Sequence, residues 1–265
     1  MWISILAALA ATNFLLFVIW KAGDKGLLFT WLPARNIMVT SVFAFSTKHD
    51  EHDFLETAWF NFGSHIIPVL FLLVFTIGIV TYNGREPRFQ QHHIWRLIWI
   101  IALVVGGCCT SGIWFFQTAS VLRTVGCVAA AFNFLNISNM PKHRQTNTLT
   151  ITWTYVILTN IAVAGMVSAL FLLVANGQTA VVGLLSNIPI VSIALLAHST
   201  CTSVGTESTA QHVYILAWQI WPSLTFSIMT IVTHALGWTW MLTISILSTV
   251  AVIAIQLTVI TKLLH

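Results

Sequence analysis

Apolar runs of roughly twenty residues recur from Trp2 to the end of the chain, separated by short polar stretches that hold nearly all of the charge. A hydrocarbon core about 30 Å thick is crossed by ~20 helical residues. Lipid offers the backbone no hydrogen-bond partner, so a spanning segment must satisfy itself within a helix or a closed barrel. Continuous apolar runs, rather than the short alternating segments of a barrel strand, select helices. The pattern therefore predicts an all-α, polytopic transmembrane helical bundle with eight spans, at 2–20, 58–82, 94–116, 118–135, 149–175, 179–198, 213–233 and 238–263. No basic segment or small-residue cleavage site accompanies the first run, which predicts a retained helix rather than a signal peptide.

A ninth span at residues 27–45 stays open. That stretch is long enough to cross, but it carries Pro33 and Arg35 and would equally suit a re-entrant or interfacial segment. Lys and Arg in short loops favour the cytoplasmic side. With eight spans, Arg85, Arg88, Arg96, Lys142, Arg144 and Lys262 share one side, against Lys21, Lys25, Arg35, Lys48 and Arg123 on the other. With nine, Lys21 and Lys25 join the first group and the bias sharpens. Either way the C-terminus lies with the Arg85 to Arg96 loop, on the expected cytoplasmic or matrix side.

Composition narrows the class further. Charged residues are 7% of the chain and hydrophobic residues 57%. The net charge of +4, from 11 basic and 7 acidic residues, is scattered through loops and gives no footprint for nucleic acid. The expected partners are membrane lipids and other membrane protein subunits. No Asp, Glu or Lys falls in the middle of a span, which argues against a proton-coupled pump or ion-driven transporter. Cys108, Cys109, Cys127 and Cys201 lack CxxC spacing and read as packing residues. No repeat or linker divides the chain, so residues 1–265 form one integral membrane domain, with a polar acidic and histidine-rich loop at 46–57.

That loop holds the densest candidate chemistry. If its residues are helical, His49, His52, Asp53 and Glu56 fall on one arc of about 100° and can converge on a divalent metal ion. The alternative is a helix start, where acids complement the positive end of the macrodipole. Histidines also form two belts at facing depths, and imidazole pairs of that kind can hold a haem iron axially. The candidate cofactor ligands are His65 with His234 and His93 with His198, His212 being a substitute for the latter. Near helix ends such rings also suit the headgroup region. His65 differs: Gly63-Ser64-His65 followed by Pro68 inside an apolar run predicts a kinked, polar locus facing protein.

Asn13, Asn133, Asn136, Asn160, Asn187, Gln219 and Gln256 lie within spans and are expected chiefly to bond helix to helix, or else to line a path for an uncharged solute. The run Trp218-Gln219-Ile220-Trp221-Pro222 resembles the penultimate helix of microbial rhodopsins, but no lysine stands mid-helix in the last span to hold retinal, which excludes that reading. The expectation is a non-pumping integral subunit of a larger, bioenergetic, respiratory-type complex, structural or haem-holding and not catalytic on its own. The alternative is a channel or facilitator for a small neutral solute or metal ion. A metal-dependent membrane enzyme ranks third.

Overall fold

A computed structural model describes residues 2–22, 51–82, 100–102, 119–138, 151–188, 193, 196 and 205–264. Among these all regular structure is helical: α1 (Trp2–Ala22), α2 (Glu51–Ser64), α3 (Ile66–Tyr82), α4 (Ala119–Ser138), α5 (Trp153–Ala175), α6 (Thr179–Leu185), α7 (Gly205–Thr233), a 3-10 turn (His234–Leu236) and α8 (Trp238–Leu264).

Five stretches among the described residues are long and apolar enough to cross a membrane: Phe54–Val80, Ser120–Ser138, Trp153–Ala175, Thr209–Leu236 and Trp238–Val259. Eight were expected. In α1 the apolar stretch Ala8–Ala22 is shorter than these. The run at 94–116 is described only at residues 100–102, and the possible span at 27–45 lies outside the described residues. The run at 179–198 begins as α6, which ends after seven residues in a turn at Ser186 and Asn187. Apolar composition alone could not show that stop, because the turn is stabilised by side chains elsewhere in the chain. Helix α2 starts at Glu51, inside the stretch expected to be a loop, and places acidic residues in its opening turns, where the macrodipole favours them.

The bundle has a buried centre and an exposed periphery. Most residues of the apolar stretches of α2–α3 and α7 are buried, whereas most of those of α5 and α8 are not. Helix α7 runs antiparallel to α2–α3, since Ser223 meets His65 and Ser227 meets Asn61. Phe60, Phe75, Ile215 and Ile220 fill the seam between these central helices with almost no exposure. Peripheral α1 and α5 are joined by a reciprocal pair of amide hydrogen bonds between Asn13 and Asn160, each 3.0 Å.

Lipid tails are as apolar as leucine, so membrane helices associate through close packing and interhelical hydrogen bonds rather than through the hydrophobic effect. Two glycines make the approach possible. A Cβ on Gly126 of α4 would lie 2.2 Å from a ring carbon of Phe62. One on Gly183 of α6 would lie 2.5 Å from Phe60 Cβ and 2.9 Å from the Thr57 carbonyl oxygen. Helix α6 therefore sits directly on the backbone of α2. The described charges stay near helix ends: Lys21 lies over the Trp20 ring at 4.3 Å and Arg123 over Trp59 at 4.5 Å. Among the described residues no Asp, Glu, Lys or Arg is buried.

Candidate functional site

The break between α2 and α3 falls at His65. Three side chains there take up backbone acceptors. His65 Nδ1 lies 2.8 Å from the Asn61 carbonyl oxygen and 3.2 Å from that of Phe62. Ser64 Oγ donates to the Asn61 carbonyl at 2.9 Å, and Asn187 Nδ2 donates to the same oxygen. With these acceptors occupied, the His65 N–H turns to Phe62 O at 3.4 Å, an i to i−3 contact that tightens the turn. Helix α3 restarts at Ile66, and Pro68 sits in its first turn, where a missing N–H costs no intrahelical bond.

Around this break lies a closed network of uncharged groups from three elements. Asn61 Nδ2 donates to Ser186 Oγ, and Asn61 Oδ1 accepts from Ser227 Oγ at 2.6 Å. Ser186 Oγ donates to Gly183 O at 2.7 Å, and Asn187 Nδ2 also reaches Ser64 Oγ. His65 Nε2 meets Ser223 Oγ at 2.8 Å. Carbonyl oxygens only accept, so the proton belongs on Nδ1, and the neutral ring receives the Ser223 hydroxyl proton at Nε2. Asn61, Ser64, His65, Ser186, Asn187, Ser223 and Ser227 are all buried.

Helix α7 extends this polarity across the bundle. Thr209, His212, Gln219, Ser223, Ser227 and Thr230 are buried, and at about 100° per residue they fall within an arc of about 80°. Leu216 is the one apolar residue on that line between Thr209 and Thr230. The stripe is about 31 Å long by helical rise, close to the ~30 Å of the hydrocarbon core. Thr230 Oγ1 lies 3.3 Å from Ser245 Oγ on α8, so the stripe touches two neighbours.

Lower in the same helix, Pro222 stands well inside α7 and cannot bond to the carbonyl four residues back. That carbonyl, Trp218 O, accepts from Gln256 Nε2 of α8 at 2.8 Å. Its neighbour Ala217 O accepts from Asn133 Nδ2 of α4 at 3.0 Å. The Gln256 amide thus closes the gap, as re-satisfied backbone at a membrane proline requires, and Asn133 ties α4 to the neighbouring carbonyl.

The residues singled out from sequence are distributed unevenly over this framework. His65 is at its centre, with both ring nitrogens bonded within the protein. His234 is partly buried at the end of α7, with Nδ1 2.9 Å from Ile231 O. His65 contacts Ser223, which precedes His234 by about 16 Å of helical rise, whereas two axial ligands must meet at one iron. The structure therefore does not bring His65 and His234 together. His93, His198 and His49 lie outside the described residues, and of His52 and Asp53 only the helical backbone is described. Glu56 is exposed. Among the described residues no three His, Cys, Asp or Glu side chains gather as metal ligands would.

Sequence reasoning missed Asn61, Ser186, Ser223 and Ser227, and weighed Asn187 chiefly as a packing amide, with a solute path as the alternative. The recurrence of polar residues at helical spacing from Thr209 to Thr230 was the available signal for the α7 side of the site. In comparisons with family models, curated proteins and solved structures, nothing matches this chain.

Proposed function

We propose that this chain is a non-pumping integral membrane protein that lets a small uncharged, hydrogen-bonding solute pass along the α7 stripe. The observation that carries this reading is the run of buried, neutral polar groups from Thr209 to Thr230, matched in length to the hydrocarbon core and facing a broken helix at its middle. Irregular backbone at membrane depth is tolerated where it is buried in protein or lines a path. Interrupted helices that meet near the midplane are a recurrent way to build a solute site. An uncharged lining gives a permeating cation no compensating charge, so the solute class is neutral: water, polyols or small amides. The loop charges support a C-terminus, with Lys262, on the cytoplasmic or matrix side.

The test is reconstitution of the full chain in liposomes, with osmotic shrinkage followed by stopped-flow light scattering for water, glycerol and urea. Permeability several-fold above empty vesicles for at least one solute is expected, together with its loss in Ser223→Leu. Permeability equal to empty vesicles for all three refutes the reading.

A second reading, a structural subunit of a larger respiratory-type membrane complex, is favoured by the closure of the His65 network, in which the polar groups bond to one another. Gentle purification from the native membrane with fixed partner chains would support it. In its haem-holding form His65 is not a ligand, since both ring nitrogens are engaged within the protein, and the pair would be His93 with His198 or His212. A reduced-minus-oxidised spectrum tests it: a haem band abolished by His93→Leu supports the haem-holding form, and a spectrum without a band removes it.

A further inference from the structure

Asn133 and Asn136 stand three residues apart on α4, at 0% and 2% exposure. Side chains at that spacing lie on one helix face, with Cβ atoms about 5–6 Å apart. Each amide is held by one end. Asn133 Nδ2 donates to Ala217 O of α7 at 3.0 Å, and Asn136 meets Thr76 Oγ1 of α3 at 2.6 Å. The other ends, Asn133 Oδ1 and Asn136 Nδ2, are buried with no hydrogen-bond partner. Two such atoms at the junction of three helices call for an occupant, because buried polar groups are almost always satisfied by protein or by ordered water.

The chemistry at Thr76 identifies what fits. Its Oγ1 also lies 2.8 Å from Leu72 O, and one hydroxyl has one proton. When that proton goes to Leu72 O, the Asn136 amide is better turned, with its nitrogen toward Thr76 and its oxygen toward Asn133. The two outward atoms are then both acceptors. In the other orientation they are an acceptor and a donor. Water satisfies both arrangements, because it offers two donors and two acceptors. An ammonium or sodium ion suits only the first.

We propose that Asn133 and Asn136 hold a structural water molecule at the junction of α3, α4 and α7, one residue from the Trp218 carbonyl that Pro222 leaves without its helical donor. The site is separate from the His65 network and does not depend on passage of a solute along α7. It adds a hydrated joint where three helices would otherwise leave amide atoms dry.

The experiment is water-edited solid-state NMR on the full chain in lipid bilayers, labelled with ¹⁵N-asparagine, the peaks being assigned by their loss in Asn133→Leu and Asn136→Leu. The Asn61 side chain serves as reference, since both ends of its amide are bonded within the protein. The expected result is magnetisation transfer from water to the Asn133 and Asn136 amides several-fold faster than to Asn61, unchanged when sodium and ammonium are withdrawn. Transfer no faster than at Asn61 would overturn the proposal. So would fast transfer that vanishes on removing those cations, which would assign an ion.

Discussion

Pro68 and Pro222 lie in the two central segments of the bundle, and only one of them coincides with a broken helix. Through Pro222 the helix continues, because Gln256 supplies Trp218 O with the donor that proline lacks, while Asn133 adds a bond to the adjacent Ala217 O. At the α2–α3 junction the opposite happens. His65, Ser64 and Asn187 occupy the Asn61 and Phe62 carbonyls, and the backbone ladder gives way one turn before the proline. The difference teaches that proline does not by itself decide where a membrane helix breaks. Which groups reach the carbonyls decides it: an amide from a neighbouring helix splices a gap, whereas side chains that displace the local N–H open one.

The hardest blow to this contrast is Gly183→Ala. The added methyl would press on Thr57 O and Phe60 Cβ, so α6 must move off α2 and withdraw Ser186 and Asn187. Overpacking costs about 1–3 kcal/mol and each lost bond about 1 kcal/mol, giving a destabilisation of about 4 kcal/mol in denaturant unfolding from mixed micelles. A change under about 1 kcal/mol would mean that α6 is not seated as described. Next in size is Gln256→Leu, which strands Trp218 O and should cost about 1–3 kcal/mol. In a Pro222→Ala background the restored N–H makes Gln256 redundant, and the same substitution should cost under ~0.5 kcal/mol. Equal costs in the two backgrounds would reject the splice. The smallest effect belongs to Pro68→Ala, at under ~1 kcal/mol, because Pro68 stands where no intrahelical bond is missing. A gain well above that would show the proline itself to be what holds the helix apart.

The membrane class and the helical build were legible from apolar run lengths alone, and His65 was legible as a polar kink from Gly63-Ser64-His65 and Pro68. The roles of Asn13, Asn133, Asn160 and Gln256 as helix-to-helix donors also follow the usual behaviour of amides in spans. The length of α6 was not legible, because its end depends on Asn61 and Ser64, more than a hundred positions away in sequence. The spatial relation of His65 to His234 was equally hidden. Their facing depths were inferred from span order, while the register between α2–α3 and α7 depends on which serine meets the imidazole. The acidic stretch before Phe54 was placed in a loop at 46–57 with a helix start as an open reading, because composition does not distinguish a charged connection from a charged first turn, and α2 begins within it at Glu51.

Helix α6 also constrains how the protein is made. The seven residues of α6 rise about 10 Å, a third of the ~30 Å hydrocarbon core. The bonds that join Ser186 and Asn187 to Asn61 and Ser64 form only once residues 51–64 are in position, so α6 docks against a segment synthesised long before it. In chain order the earlier helix thus stands as the receptor and α6 as the segment it receives.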